Sequence, residues 1–220
     1  MLIDFDGNEI DIRPGKIVAV ARNYAGHARE MGKPLPSEPT FFLKPATALV
    51  SGGGAILLPA ASKRVDHEVE LCVVIKDRCR MVTPEEAMRH VLGYTIMIDV
   101  TARDIQEEAK KSGMPWTVSK GFDTFAPTGP KIVPSNEIDP EKLGIWLKVN
   151  GETRQSGSTS DMVFSVERLI SAISQVMTLE PFDLIATGTP AGVGEICDGD
   201  VVEAGIDGIG VLKMTARRLR

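Results

Sequence analysis

Short runs of apolar residues, separated by turns rich in glycine and proline, recur along the chain and predict a protein built mainly from strands. Asp6-Gly7 and Asn150-Gly151 each lie between two such runs, as is typical of tight hairpin turns. The predicted strands cover residues 2–5, 9–12, 16–21, 40–44, 65–75, 94–98, 144–154 (as a hairpin), 182–186, 200–204 and 209–216.

Helical patterns are fewer, so the sequence predicts a mixed α/β, β-rich fold with a few helices. Thr83 with Glu86, and Thr101 with Asp104, are spaced as capping boxes that begin helices. Residues 22–31 are compatible with a short helix, and the proline-rich residues 33–39 predict a loop. Ser165 caps a further helix whose apolar stripe is predicted to face the core: Val166, Leu169, Ile170, Ile173, Val176 and Met177.

Acidic residues interrupt two of the most apolar predicted strands. Glu68 and Glu70 are two residues apart, so on a strand they share the face that continues into Cys72 and Val74. Asp99 follows another apolar strand and can supply a third carboxylate. Three oxygen ligands without a Cys-His set suit a hard divalent cation such as Mg²⁺ or Mn²⁺. The alternative is that both glutamates face solvent and that Asp99 caps the next helix.

Other polar residues are candidates for chemistry, each with a structural alternative. His27 and Glu30 are adjacent on a helix, and a carboxylate beside an imidazole fixes the tautomer that a general base requires. A solvated helix face would look the same. Arg103 and Gln106 share a helix face next to Asp99, as they would in an exposed capping turn.

Two further segments carry possible anion-binding groups. Lys120 lies among small and apolar residues and is either a buried cation or a solvated side chain. The glycine-rich residues 187–194 match no nucleotide-binding motif, although their backbone N–H groups can bind a carboxylate.

Composition narrows the function classes. The chain has 220 residues, of which 43% are hydrophobic and 25% charged, values typical of a globular domain. A net charge of −5 with scattered basic residues argues against nucleic acid as a partner, and no apolar run is long enough for a membrane span. Three cysteines without a C-x-x-C pair and no signal-peptide pattern predict a reduced, cytoplasmic setting.

Several short motifs follow one another along the chain: Arg22-Asn-Tyr-Ala-Gly-His27-x-x-Glu30, Phe42-Leu-Lys-Pro45, His67-Glu-Val-Glu70, Asp99-Val-Thr-Ala-Arg-Asp-Ile-Gln106, Ser119-Lys120, Val149-Asn-Gly-Glu152 and Thr187-Gly-Thr-Pro-x-Gly-Val-Gly194. Taken together, they resemble the motifs of the fumarylacetoacetate hydrolase family, in order from about Lys16 to Arg217. The resemblance is strongest to its short acylpyruvase and oxaloacetate decarboxylase branch. It implies a mixed β-sandwich roll with peripheral helices in residues 16–220 and a homodimer. Residues 1–15, with the predicted hairpin, fall outside the resemblance and are expected to form a short N-terminal extension.

The resemblance also implies roles for individual residues. Glu68, Glu70 and Asp99 become ligands of Mg²⁺ or Mn²⁺. His27 and Glu30 become the pair that activates water, and Lys120 the cation beside the developing negative charge. The candidate substrate contacts are Arg22, Arg103, Gln106 and Thr189, whereas Lys44 lies in a matching motif without an assigned role.

The implied activity is hydrolysis of acylpyruvates, such as acetylpyruvate or fumarylpyruvate, to pyruvate and a carboxylic acid. Oxaloacetate decarboxylation is a further expected activity of the same site, and the expected partner is a small 2-oxo mono- or dicarboxylate. Two alternatives stay open. One is an isomerase or decarboxylase of 2-hydroxy-dienoates from aromatic degradation, and the other is a non-catalytic, metal-stabilised binding protein.

Overall fold

Strands dominate the regular structure, as the apolar pattern predicts. The structure is a computed structural model that describes residues 1–32 and 34–219, without the side chain of Leu2. The predicted loop at residues 33–39 therefore begins at a residue outside the described ones. The strands are β1 (Leu2–Phe5), β2 (Asn8–Asp11), β3 (Ile17–Ala21), β4 (Thr40–Lys44), β5 (Leu49–Ser51), β6 (Ala55–Leu58), β7 (Val65–His67), β8 (Val69–Ile75), β9 (Val91–Ile98), β10 (Thr101–Ala102), β11 (Ala126–Thr128), β12 (Lys131–Pro134), β13 (Gly144–Val149), β14 (Glu152–Ser158), β15 (Leu184–Ala186), β16 (Gly194–Glu195), β17 (Val201–Ile206) and β18 (Gly210–Arg218).

The helices are short and lie between these strands. The α-helices are α1 (Ala25–Glu30), α2 (Pro84–Ala87), α3 (Arg103–Lys111), α4 (Thr117–Lys120) and α5 (Val166–Val176). Single 3₁₀ turns cover Ala46–Ala48, Met88–His90 and Thr159–Asp161. In the described part of the chain, no helix has the length and apolar character that crossing a bilayer requires.

Two open sheets pack face to face, which confirms the β-rich mixed α/β class. The larger has the order β2-β1-β12-β9-β8-β15-β3-β4, with β11 paired to β9 and β5 paired to β11. The smaller has the order β14-β13-β17-β18-β6, and a three-stranded sheet, β10-β7-β16, lies apart from both. One apolar cluster fills the space between the two large sheets, and its members include Leu71, Tyr94, Leu147 and Leu212.

Strand β8 is apolar on both faces because it contributes to two cores. Leu71 and Val73 point into the cluster between the sheets. Cys72 and Val74 point to the opposite side, into a second cluster that includes Ile3 of the N-terminal hairpin. The face shared by Glu68, Glu70, Cys72 and Val74 is therefore an interior face, as its apolar continuation predicts.

Local turn and cap predictions are mostly confirmed. Asp6-Gly7 and Asn150-Gly151 both adopt the positive φ angles of a type I′ hairpin turn. The Ser165 side chain caps α5 by accepting from the Arg168 N–H. Thr83 and Glu86 form the predicted capping box, although α2 is short and continues as a 3₁₀ turn that ends at His90.

Two local predictions are wrong. Thr101 does not cap α3: its hydroxyl donates to the Asp99 carbonyl, and Asp104 instead accepts from Ser62 and Lys63. The strand pairing of β10 with β7 holds Thr101 outside the helix. On α5, Val176 is exposed rather than buried, because it lies in the last turn, beyond the edge of the core.

The hairpin of residues 1–15 is part of the larger sheet. Strand β1 pairs in parallel with β12, and Ile3 and Ile12 are buried in the second core cluster. The boundary at residue 16 between an extension and a catalytic domain stays a prediction.

Candidate active site

Two antiparallel strands bring the predicted acidic trio together. In the register of β8 and β9, Glu70 lies opposite Met97, and the Asp99 N–H donates to the Glu68 carbonyl at 2.8 Å. Glu68 and Asp99 therefore lie opposite each other, and Glu70 is the next residue on that face. Each residue offers a carboxylate oxygen, and these oxygens lie within 4.8 Å of one another. All three residues are buried, which excludes the alternative of solvent-facing glutamates.

Basic side chains from three other elements offset part of this negative charge. Lys120, at the end of α4, donates to Glu68 Oε2 at 3.0 Å and to Asp99 Oδ2 at 2.5 Å. Lys44, at the end of β4, donates to Asp99 Oδ1 at 2.6 Å from behind. Arg103 pairs with the other Glu68 oxygen through Nη2. Of the two alternatives for Lys120, a buried cation or a solvated side chain, the structure shows the buried one, since its side chain is 2% exposed.

The electrostatics differ sharply between the two glutamates. Burial, with the charges of Asp99 and Glu68, raises the pKa of Glu70 well above its ordinary value. Burial acts on Glu68 too, but the Lys120 and Arg103 charges outweigh it and hold the pKa of Glu68 below its ordinary value. Within the described residues Glu70 forms no ion pair, and its Oε2 accepts only the Gly188 N–H, at 2.7 Å.

These residues fit a divalent cation. A buried carboxylate without a basic partner, next to two others, is costly unless a positive charge joins them. Hard oxygen ligands at this spacing suit Mg²⁺ or Mn²⁺ and offer no thiolate or imidazole to a softer metal. The trio can therefore hold either Mg²⁺ or Mn²⁺.

A cavity of about 290 Å³ opens above the trio. Its polar base is formed by Glu68, Glu70, Asp99 and Lys120, and its remaining walls are mixed polar and apolar. The wall residues are Val20, Ala21, Arg22, His27, Met31, Thr40, Phe42, Arg103, Gln106, Lys110, Trp116 and Thr189. Six of the predicted site residues outside the trio thus share one cavity with it, and Glu30 lies just behind.

The predicted dyad lies on α1. His27 is buried and faces the cavity, and its Nδ1 lies 3.3 Å from Glu30 Oε2. A carboxylate only accepts, so Nδ1 carries the proton and Nε2 is left as the basic nitrogen. The Gly192 N–H in turn donates to both Glu30 oxygens at 3.2 Å. The loop of residues 187–194 does bind carboxylates through its backbone, and they are the protein's own: Glu70 and Glu30.

The four predicted substrate contacts all line the cavity but differ in the hydrogen bonds that their side chains already form within the protein. Arg22 has a left-handed backbone, with φ 58°, at the end of β3. Arg103 already forms ion pairs with Asp66 and Glu68, and its Nη1 donates to Gln106 Oε1 at 2.8 Å. The Thr189 hydroxyl donates to the Val69 carbonyl and accepts from Gln155. Arg22 and the Gln106 amide nitrogen therefore keep the most free hydrogen-bonding capacity for a ligand.

Sequence reasoning missed several supporting residues. Asp66 is fully buried and accepts from Arg103 Nε at 2.8 Å and from Arg64. Its position two residues before Glu68 was the available signal. Gln155 arrives from β14 of the other sheet and had no such signal. Its amide binds the Val69 N–H, His67 Nδ1, the Thr189 hydroxyl and the Pro190 carbonyl.

Open sheets packed face to face, with an acidic trio at the base of a cavity, define a class of β-rich proteins suited to metal-assisted chemistry. The chain belongs to the fumarylacetoacetate hydrolase family, because the family model described as Fumarylacetoacetate (FAA) hydrolase C-terminal matches residues 16–217. The resemblance stated from the motifs is thereby confirmed, and with it membership in a family of enzymes.

Relatives of this chain carry out different reactions. The mitochondrial oxaloacetate tautomerase FAHD1 of Bos taurus is 49% identical over 203 residues, 92% of this chain and 91% of that protein. Among solved structures, fumarylpyruvate hydrolase of Pseudomonas aeruginosa in complex with Mn²⁺ and pyruvate is 35% identical with a TM-score of 0.92, covering 100% of this chain and 96% of that one. The 5-carboxymethyl-2-hydroxymuconate delta-isomerase of Mycobacterium smegmatis is 44% identical with a TM-score of 0.85, covering 94% and 80%.

Proposed function

We propose that the protein is a divalent-metal-dependent hydrolase that cleaves acylpyruvates to pyruvate and a carboxylic acid, and that it also acts on oxaloacetate. The observation that carries this proposal is that one cavity is lined by the acidic trio, by Lys120 and by His27, whose ring is hydrogen-bonded to Glu30 just behind the cavity wall. Hydrolysis needs both parts, because one must accept the electrons of the broken bond and the other must activate water.

Each residue has a definite part in this reaction. Mg²⁺ or Mn²⁺ held by Glu68, Glu70 and Asp99 would supply a Lewis acid for the 2-oxo acid. His27 Nε2 takes a proton from the water that attacks the distal carbonyl carbon C4, while Glu30 holds the imidazole ring in place. The bond between C3 and C4 then breaks, and its electron pair passes into a pyruvate enolate that is later protonated at C3.

The remaining groups bind the substrate. The Lys120 ammonium stabilises the negative charge that develops on the pyruvate fragment. Arg22, Arg103 and Gln106 are proposed to bind and orient the 2-oxo acid, and Thr189 to shape the same wall. In oxaloacetate the leaving fragment is CO₂, so this reaction uses Lys120 and the trio but needs no water activated by His27.

A second candidate is oxaloacetate tautomerisation, in which a proton moves between C3 and the C2 oxygen. The similarity to a protein with that name supports it, and a buried imidazole beside the trio can carry such a proton. A third candidate is isomerisation of a 2-hydroxy-dienoate, which the similarity to a structure named as an isomerase supports. If no substrate turns over, the hypothesis that remains is a non-catalytic binding protein.

The test follows pyruvate release from acetylpyruvate, fumarylpyruvate and oxaloacetate in parallel, with Mg²⁺, with Mn²⁺ and with EDTA. Enol and keto forms of oxaloacetate are followed separately by absorbance. Metal-dependent release from an acylpyruvate supports the hydrolase. Conversion of enol to keto oxaloacetate without release from acylpyruvates would replace it with the tautomerase, and no turnover of any of these would favour the dienoate isomerase or the binding protein.

The assembly and location of the protein are also proposals. We propose a homodimer in the cytoplasm with a small 2-oxo acid, and neither nucleic acid nor membrane, as its partner. Sedimentation equilibrium measures the first directly. A monomer that turns over substrate would remove the dimer from the proposal without affecting the site.

A further inference from the structure

One face of helix α3 forms a wall of the cavity. Arg103, Gln106 and Lys110 are spaced i, i+3 and i+7, which places them on one side of a helix. Arg103 Nη1 and Lys110 Nζ both donate to Gln106 Oε1, at 2.8 and 3.0 Å. The amide oxygen of Gln106 therefore joins two positive groups, one at the base of the cavity and the other at its mouth.

The basic residues of the cavity differ in how far their charge is already neutralised. Lys120 pairs with Glu68 and Asp99, and Arg103 pairs with Asp66 and Glu68. Lys110 has a neutral amide oxygen as its hydrogen-bond acceptor and, within the described residues, no carboxylate at ion-pair distance. Arg22 likewise forms no ion pair in the described part of the chain.

The surroundings of Lys110 favour an anion. Its ammonium lies 5.2 Å from the centre of the Trp116 ring, and that ring packs edge-on against Phe42. Partial burial, followed by the Arg103 charge, lowers the pKa of Lys110. An anionic group that reached this point would meet a cation that the Trp116 ring shields in part from water, where a charge-assisted hydrogen bond is stronger than in open solvent.

We propose that Lys110 is a specificity-determining residue that binds the second carboxylate of a dicarboxylate 2-oxo acid, an inference that rests on the proposed function. The 2-oxo carboxylate end occupies the base of the cavity near Lys120, and the far carboxylate meets Lys110 at the mouth. The site then prefers a dicarboxylate such as fumarylpyruvate to a monocarboxylate such as acetylpyruvate.

The first test compares Lys110→Met with Lys111→Met. Both lysines lie in the last turn of α3, where basic residues are favourable, but Lys110 lines the cavity and Lys111 does not. For Lys110→Met we expect kcat/KM for fumarylpyruvate to fall about tenfold to a hundredfold, mainly through KM, because a hydrogen bond to a charged group is lost. For acetylpyruvate the fall should be less than about threefold on the same scale, and Lys111→Met should match the wild type on both substrates.

The second test measures binding and does not depend on turnover. The ligands are 2-oxoglutarate and 2-oxopentanoate, which have the same chain length and differ by the far carboxylate, each titrated with Mn²⁺ present. Trp116 fluorescence reports binding in a Trp146→Phe background, since Trp146 is the other of two tryptophans. We expect the wild type to bind 2-oxoglutarate about tenfold or more tightly, and Lys110→Met to lose that preference.

The outcomes separate this inference from the proposed function. If acylpyruvates turn over and the preference survives in Lys110→Met, or disappears in Arg22→Met instead, the assignment of Lys110 is overturned and the hydrolase stands. If nothing turns over but the binding preference depends on Lys110, the assignment stands and the hydrolase falls. If neither ligand binds in the presence of Mn²⁺, the assignment of Lys110 is overturned, and acylpyruvate turnover alone decides the hydrolase.

Discussion

The acidic trio and His27 line one cavity, and Glu30 lies behind His27, but the trio and the His27–Glu30 pair are held in different ways. Glu70 and Asp99 lie on or next to long strands buried on both faces, and each is 1% exposed. Glu30 ends a helix of six residues, and its side chain is 41% exposed. Such a short helix has little stability of its own, so its position depends on contacts with other elements.

The difference reflects what each group must do. Carboxylates that repel one another stay together only if rigid neighbours hold them, and adjacent antiparallel strands provide that rigidity. A proton-transferring pair needs orientation more than burial, and the Gly192 N–H supplies it to Glu30 from the loop of residues 187–194. Changes to the trio should therefore affect metal binding, stability and every reaction, whereas changes to the pair should affect one reaction selectively.

The largest expected effect comes from Glu70→Gln. The variant loses a metal ligand, so we expect Mn²⁺ affinity to fall about a hundredfold or more and kcat/KM to fall about a thousandfold. The free energy of unfolding of the metal-free variant should nevertheless be about 1 kcal/mol higher, because a carboxyl group that is costly to bury next to two other carboxylates is replaced by a neutral amide. Isothermal titration with Mn²⁺ measures the affinity, and urea unfolding in EDTA measures the stability of the metal-free protein. Unchanged Mn²⁺ affinity would remove Glu70 from the ligand set.

Lys120→Met should change stability in the opposite direction. The variant leaves Glu68 and Asp99 without a shared buried partner, so we expect the metal-free protein to lose about 3 kcal/mol of unfolding free energy. Mn²⁺ should restore part of this loss because it supplies positive charge to the same oxygens. Turnover should fall about a hundredfold to a thousandfold on every substrate. A metal-free variant as stable as the wild type would show that the Lys120 ion pairs contribute no net stability.

A selective effect is expected from the His27–Glu30 pair. His27→Ala should reduce acetylpyruvate hydrolysis about a hundredfold, the contribution typical of a general base. Oxaloacetate decarboxylation needs no activated water and should change about threefold or less. Glu30→Gln, which disturbs only the orientation of the ring, should reduce hydrolysis about tenfold. The two reactions are compared in pyruvate-release assays under identical conditions, and equal losses in both would refute the assigned role of His27.

The smallest effect on activity should follow from Gln155→Leu, which breaks the connection between the two sheets beneath the site. His67, Val69 and Thr189 lose a buried hydrogen-bond partner, so we expect about 2 kcal/mol less stability and a threefold to tenfold lower kcat/KM. Arg154→Leu, at an exposed neighbour on the same strand, is the matched control. Thermal unfolding and pyruvate release measure both quantities. If Gln155→Leu has the same stability and kcat/KM as Arg154→Leu, the loop of residues 187–194 holds its position without Gln155.

The comparison also shows which parts of the site could be predicted from the sequence. The two-residue period places Glu68 and Glu70 on one face, because the period of a strand is fixed by backbone geometry. The apolar residues that follow on that face favour an interior position but leave a solvent-facing one open. The period of a helix likewise places His27 and Glu30 side by side. The two hairpins and the Ser165 cap followed from turn and cap chemistry within a few residues. Thr101 was misassigned, because its pairing partner in β7 lies more than thirty positions away.

By itself, the sequence determined the β-rich class, the hairpins, the shared face of Glu68 and Glu70, and the family. These features depend on contacts between near neighbours or on motifs that are read directly. Only the tertiary structure decided that Asp99 lies opposite Glu68, that Lys44 binds the other side of Asp99, and that Gln155 reaches the site from another sheet. It also placed Lys110 at the cavity mouth, where no carboxylate among the described residues is its partner. Strand register and sheet packing bring these residues together from distant parts of the chain. The local pattern of residues does not predict such contacts, because it reflects interactions between near neighbours only.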